Sequence, residues 1–184
     1  MLTSPMSIIT GRGDLGETDL LFGRRIAKTS ARVGAIGTID ELNAILGIAR
    51  TSGLGAHASE VVDGIQHRLV HLMGQLATLS GDAERYHAAG YGRIEAIDVA
   101  WLEDLARGLE ASGLRFKGWA RPGAGAPPAS AQLDFARAIA RRAERDVRLL
   151  EEQDGPVPQE LLLFLNRLSD LLWLMARQAA LADA

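Results

Sequence analysis

Arg137, Arg141, Glu144, Arg145 and Arg148 follow one another at spacings of four, three, one and three, and Arg142 adds a further cation. In a helix that spacing places most of them on one face. Arginine offers a planar fork of donors that matches phosphate oxygens, so such a strip could hold a polyphosphate. It could equally be a solvated face on which Glu144 relieves the repulsion between Arg137 and Arg141; the pattern alone leaves both open. A second candidate lies far upstream, in the stretch TGRGDLGET from Thr10 to Thr18. Its glycines let backbone N–H groups converge on an anion without interference from Cβ atoms. Hydroxyls flank it, and Arg24, Arg25 and Lys28 follow closely. The same letters match Gly-x-Gly-x-x-Gly, the dinucleotide fingerprint. That fingerprint needs a strand before it, a helix opening within it and an acid about 20 residues on at a strand end. The nearest such acid, Asp40, falls within a helical pattern, so the match is one of text only. Arg12-Gly13-Asp14, read as an adhesion tripeptide, carries almost no information. A phosphate-wrapping loop is the reading that survives.

Other polar positions carry weaker signals. Asp40, Asn43, Gly47 and Arg50 form a stripe, and Asp40 and Glu41 sit where a helix N-terminus favours carboxylates. Asn166 and Asp170 interrupt a nearly continuous apolar run, and a polar side chain buried there must find a partner. His67 and His71 share a metal-binding spacing, but spacing suggests no third ligand.

The elements that must position these groups are helices. Apolar residues recur at spacings of three and four over about 36–52, 58–79, 94–111, 133–150 and 161–175. The third run (Ile94, Ile97, Trp101, Leu105, Leu109) is the least strict, and strand signals are nearly absent. The break between the last two is Asp154-Gly155-Pro156. Such seams suit helices packed nearly antiparallel, so the fold class expected is all-α, an up-and-down five-helix bundle. The last helix is apolar on most sides, so it is either central or packed on another subunit. Residues 1–35 and 113–131 do not fit the helical reading, and long loops inside a bundle are commonly functional. No repeat or linker divides the 184 residues, so one domain is expected: a nucleotide-binding segment over 1–35 and the bundle over 36–184.

Composition narrows the classes. A net charge of −3 gives no electrostatic footprint for nucleic acid. The absence of cysteine removes disulfide scaffolds, thiolate metal sites and thiol nucleophiles. No run approaches the roughly 18 apolar residues of a membrane span, and MLTSPMSIIT lacks the regions of a signal peptide. A cytoplasmic protein with no membrane partner is expected.

The order of these pieces resembles the PduO-type corrinoid adenosyltransferases. The resemblance is carried by TGRGDLGETDLLFGRRIAK, ARVGAIGTIDELNAILGIAR, ARAIARRAERDV and FLNRLSDLLWLMAR, with Ile65-Gln66 and LATLSGD between them, and covers about residues 8 to 181. It implies a five-helix bundle that forms a homotrimer with active sites between subunits. It implies transfer of the 5′-deoxyadenosyl group of ATP to the cobalt of cob(I)alamin or a related corrinoid, giving adenosylcobalamin and triphosphate. The alternative is a non-catalytic relative that binds ATP or a corrinoid as a carrier or regulatory module.

Residue by residue, the resemblance gives Thr10, Gly11, Arg12, Gly13, Gly16, Thr18 and Lys28 to the triphosphate of ATP. Arg137 and Arg141 match the paired arginines, Glu144 the adjacent acid, and Asn166 the asparagine near the nucleotide. Asp40 matches the carboxylate that pairs with Arg137 near the corrin. Arg137, Asp40 and Arg141 are thus the implied catalytic set. Mg²⁺ would arrive with ATP, with Glu144 its candidate protein ligand. An aromatic residue of the central loop displaces the lower ligand of cobalt in the family; here Trp119 stands at that position, with Phe116 the second candidate. A reductase and an adenosylcobalamin-dependent enzyme are the implied partners. The sequence departs from the family pattern at Leu15, where a lysine is common and whose charge Arg12 could restore, and at Asp134, where a histidine is common.

Overall fold

The computed structural model describes residues 9–114, 120–124 and 127–181. Five long helices carry the architecture: α1 (Ala31–Thr51), α2 (Ala56–Leu76), α4 (Ala96–Ala111), α5 (Pro128–Asp154) and α6 (Gln159–Leu181). A short α3 (Ala83–Ala88) follows α2 and was not foreseen in the sequence. Cross-helix pairs set the directions. Arg50 meets Asp63, Arg68 meets Asp98, Arg32 meets Asp154 and Asp134 meets Arg177, so the long helices alternate up and down. α5 packs against both α1 and α6, and α6 packs also on α4.

The periodic seams are the core. Ile39, Leu42 and Leu46 of α1 are fully buried, as are Ile65, Leu69 and Leu72 of α2. Leu133, Ala136, Ala140, Ala143, Val147 and Leu150 line the buried face of α5, and its alanines keep that face narrow between α1 and α6. On α6, neighbouring pairs such as Leu161-Leu162, Phe164-Leu165 and Leu171-Leu172 are buried together. Its apolar surroundings are therefore supplied within the chain, and α6 is central. The seam of α4 is not the one the spacing suggested. Ile97 is 74% exposed, while Val99 and Leu102 are buried. The cause is local: Glu95 and Asp98 form a capping box that starts the helix at Ala96 and turns Ile97 outward.

Two helices start earlier than the periodicity implied. Ser30 caps α1 by accepting a hydrogen bond from the Val33 N–H at 3.3 Å. α5 begins at Pro128, a residue preorganised for a first helical turn, so the end of the Pro- and Gly-rich segment is helical.

Strands also form where no signal was visible. β1 (Glu17–Asp19) and β2 (Arg25–Ala27) pair antiparallel, with Glu17 opposite Ala27 and Asp19 opposite Arg25. Three residues per strand are too few to show an alternating pattern, and a lone hairpin is marginal in water. This one is pinned to the bundle. The Leu21 N–H donates to the Ala77 carbonyl at 3.1 Å, and Arg24 donates through Nε and Nη2 to the buried Asp82 carboxylate at 2.6 and 3.0 Å. Nearby, Arg32 donates to the carbonyls of Leu76 and Thr78, which the end of α2 leaves without helical partners. No helix among the described residues is long and apolar enough to cross a membrane.

Candidate functional site

The glycine-rich loop is built from two successive turns. The Asp14 N–H donates to the Gly11 carbonyl and the Gly16 N–H to the Gly13 carbonyl, each at 3.2 Å. Gly11 and Gly16 take φ of 66° and 85°, the left-handed region that a side chain disfavours. The hairpin then brings Lys28 back over the loop: its N–H donates to the Gly16 carbonyl at 2.8 Å. A Cβ on Gly13 would lie 2.8 Å from the Lys28 ammonium, so the cation rests directly on the glycine.

Ion pairs organise the rest. Asp19 accepts from Arg12 at 3.1 Å and from Arg25 at 2.9 Å. Arg25 also donates to Glu17 at 3.1 Å and to the Arg12 carbonyl at 2.9 Å. The hydrogen bond that Arg25 donates to Glu17 is the main reason the Arg25 pKa is raised. Arg12 is thus tied into a network rather than loose, and its N–H is 3.4 Å from the Thr10 hydroxyl. Thr18 sits in β1, and Leu15 projects from the loop tip 95% exposed. At the base of the hairpin, Arg24 holds the Asp82 carboxyl below the usual carboxylate range, chiefly by its hydrogen bonds.

The arginine strip on α5 divides by partner. Arg142 pairs with Glu41, Arg148 with Glu151 at 2.8 Å, and Arg145 donates to the Arg141 carbonyl. Arg141 is exposed and makes no ion pair among the described residues. Glu144 is brought to Asn166 of α6, whose Nδ2 is 3.4 Å from its Oε1. Arg167 fixes Asn166 from the other side at 2.6 Å and is itself held by Glu103 at 2.8 Å. Sequence reasoning placed Glu144 and Asn166 in one site, and the fold puts them in contact; Arg167 and Glu103, which orient them, were not singled out.

Arg137 has a different neighbour from the one expected. Its Nε is 3.8 Å from Asp134 Oδ1, and Asp134 pairs in turn with Arg177 of α6. Asp40 is exposed on α1. Thr38 donates to Asp146 at 2.6 Å and Glu41 pairs with Arg142, so Arg137 lies opposite a later part of α1 than Asp40. The offset is roughly 9 Å along the helices at about 1.5 Å per residue. Within one chain Asp40 and Arg137 are not brought together. Among the described residues, no hydrogen bond or ion pair joins the glycine loop to Arg137, Arg141 or Glu144 either. Trp119 and Phe116 lie outside the described residues.

Two of the cavities among the described residues are not lined by these groups. One, about 400 Å³, lies where α2 ends and α6 begins, between Arg32, Tyr86, Asp154 and Val157. The other, about 420 Å³, lies among α2, α4 and α6 beside Trp101, Leu105 and Met175. His67 approaches Asp63 at 3.5 Å, while the His71 ring packs on Gly92, so the two rings serve different contacts. Among the described residues no three His, Asp or Glu side chains gather as a metal would require.

A family model described as cobalamin adenosyltransferase matches residues 8–179. The corrinoid adenosyltransferase PduO of Salmonella typhimurium is 35% identical over 176 residues, which cover 94% of this chain and 49% of that protein. A cobalamin adenosyltransferase of Cupriavidus metallidurans is 34% identical over 172 residues, covering 92% of this chain and 86% of that one. This chain spans about half the length of the PduO relatives from Salmonella typhimurium and Citrobacter freundii. Among solved structures, a variant PduO-type ATP:corrinoid adenosyltransferase from Lactobacillus reuteri, complexed with cobalamin and ATP, superposes with a TM-score of 0.85. It is 30% identical, over 96% of this chain and 92% of that one.

Proposed function

The chain belongs to the cobalamin adenosyltransferase family, and from that premise we propose that it moves the 5′-deoxyadenosyl group of ATP onto the cobalt of cob(I)alamin or a related corrinoid. The observation that carries this reading is Lys28 seated on Gly13, a cation set against a loop of glycine N–H groups where no side chain intervenes. Such a concavity suits the triphosphate, with Thr10, Gly11, Arg12, Gly16 and Thr18 completing it. Cobalt(I) is the nucleophile: it attacks C5′, the C5′–O bond breaks, and triphosphate leaves with the electron pair. The protein therefore needs no catalytic base. Its work is to hold C5′ in line with cobalt and to stabilise charge growing on the leaving triphosphate.

Arg137 and Arg141 take that second task, Asn166 contacts the nucleotide, and Trp119 or Phe116 meets the corrin. The chain acts as one unit, a nucleotide segment joined to a bundle, and it assembles as a homotrimer with sites between copies. Two features support that assembly. The Asp40–Arg137 pair would need a second copy to form, and Ile48, Phe135 and Leu149 leave large apolar side chains exposed on α1 and α5. Mg²⁺ bound to ATP fits a site offering one carboxylate, Glu144, since this cation takes most of its oxygens from phosphate and water. The chain's partners are then a reductase that supplies cobalt(I) and an enzyme that uses adenosylcobalamin.

The test supplies chemically reduced cob(I)alamin and MgATP without air and follows the corrinoid spectrum. Adenosylcobalamin and an equal amount of triphosphate are expected. Tight ATP binding with no product would favour a carrier or regulatory role instead.

A further inference from the structure

Asp134 is a carboxylate 4% exposed, in a helix face that apart from the Ser130 hydroxyl is otherwise aliphatic. Neither the periodicity nor the expected reaction gives it a task. A charge in that setting needs a countercharge and further polar partners, and the fold supplies two guanidinium groups. Oδ2 accepts from Arg177 Nη2, and Arg177 is itself only 8% exposed. Oδ1 faces Arg137 Nε at 3.8 Å, one turn along the same helix. Nε of Arg137 is buried and makes no hydrogen bond, although 31% of its side chain reaches solvent. The guanidinium is thus turned with its Nε edge inward, which leaves its other nitrogens for what lies outside.

We propose that Asp134 is a positioning residue for Arg137, drawing the Nε edge into the helix interface so that the remaining donors face the reacting groups. Arg177 makes this possible. It neutralises one carboxylate oxygen and fixes the direction of the other, at a separation along the chain that no local pattern shows. At 3.8 Å the attraction is ionic, without a hydrogen bond. A small inward movement of Arg137 completes that bond when the arginine is loaded from outside. The inference rests on the assignment of Arg137 to the site.

Asp134→Asn keeps a hydrogen-bond acceptor for Arg177 and removes the charge that orients Arg137. The expected result is a kcat lowered roughly tenfold with KM for ATP within about twofold, the pattern of an interaction that matters in the transition state. Because one buried charge would remain unpaired, the double variant Asp134→Leu with Arg177→Met is measured beside it; it removes the pair as a unit and retains volume. It too should fold and show the lowered kcat. In an Arg137→Gln background, read by single turnover, Asp134→Asn should add nothing, since the residue through which it acts is gone. A folded Asp134→Asn or double variant with wild-type kcat overturns the proposal, as does an equal further loss in the Arg137→Gln background. Wild-type turnover by Arg137→Gln alone would instead overturn the assignment of Arg137, and so separates the two failures.

Discussion

The glycine loop and the α5–α6 interface use the same pair of chemical groups in opposite surroundings. Around the loop, Asp19 joins Arg12 and Arg25 at the surface, with side chains 39%, 65% and 32% exposed. Between α5 and α6, Asp134 joins Arg177 with almost no access to water, and the same carboxylate faces Arg137, whose side chain is 31% exposed. Exposed pairs are worth little, about 0–1 kcal/mol, because water and salt screen them. A buried carboxylate that loses its partner costs several times that. The loop is therefore shaped by glycine turns and a small hairpin, and its ion pairs only trim that shape. The interface is shaped before any ligand arrives. On the proposed function, the nucleotide is expected to adjust the loop, while Arg137 is already drawn toward Asp134.

The largest effect that this contrast predicts is at Arg137. Arg137→Ala leaves the Asp134–Arg177 pair intact, so the melting temperature should hardly change. Turnover should fall by about a hundredfold or more, the usual result of removing a donor aimed at developing charge. A variant that melts early would mean that Arg137 is part of the packing and not poised on it.

Gly13→Ala tests the loop. Its Cβ would lie 2.8 Å from the Lys28 ammonium and 3.4 Å from the Glu17 carbonyl oxygen. The nearest atom is the end of a flexible side chain, which can swing aside, so stability should be retained. Lys28 would no longer rest on the loop, and KM for ATP should rise roughly tenfold, about the worth of one charge-assisted contact. An unchanged KM would remove Lys28 from the nucleotide site.

The two regions also differ in how much of them could be read from the chain. The seams of α1, α2, α5 and α6 are visible because a buried helix face repeats every three or four residues. The hairpin is not, because three residues per strand carry no period. Ile97 misled because a capping box from Glu95 to Asp98 decides where α4 starts. Asp134 stood out in the sequence only as an unusual residue; its partner Arg177 comes from another helix, and no local spacing links them. Asp40 and Arg137 mark the limit of reading a single chain, since their offset along α1 and α5 keeps them apart within it.

A smaller effect concerns the anchor that joins the loop to the bundle. Arg24 lowers the pKa of Asp82 by its hydrogen bonds and then by its charge. The folded pKa therefore lies below the unfolded value of about 3.9. This contribution to stability is complete above that value and is lost as the pH falls through the folded pKa. Wild type should melt higher than Asp82→Asn at neutral pH, and the gap should close below about pH 4. A gap that persists in acid would assign the anchoring to backbone contacts such as Leu21 N–H to Ala77 O.

The smallest effect bears on Arg12, which stands close to Leu15 where the family commonly has a lysine. Arg12 gives one nitrogen to Asp19, which also draws on Arg25, so that carboxylate competes with ATP for the charge of Arg12. Asp19→Asn removes that competition and one negative charge near the proposed triphosphate site. Loop shape should survive, because Arg25 still bonds Glu17 and the Arg12 carbonyl. KM for ATP should then fall about two- to threefold at low salt, and the gain should fade at high salt, since the charges involved are exposed. A rise in KM would mean that Asp19 shapes the loop and that Arg12 belongs to its scaffold. The buried carboxylate of α5 would then be the one of the two whose charge acts on the reaction, and the cation missing at Leu15 would have no replacement within the loop.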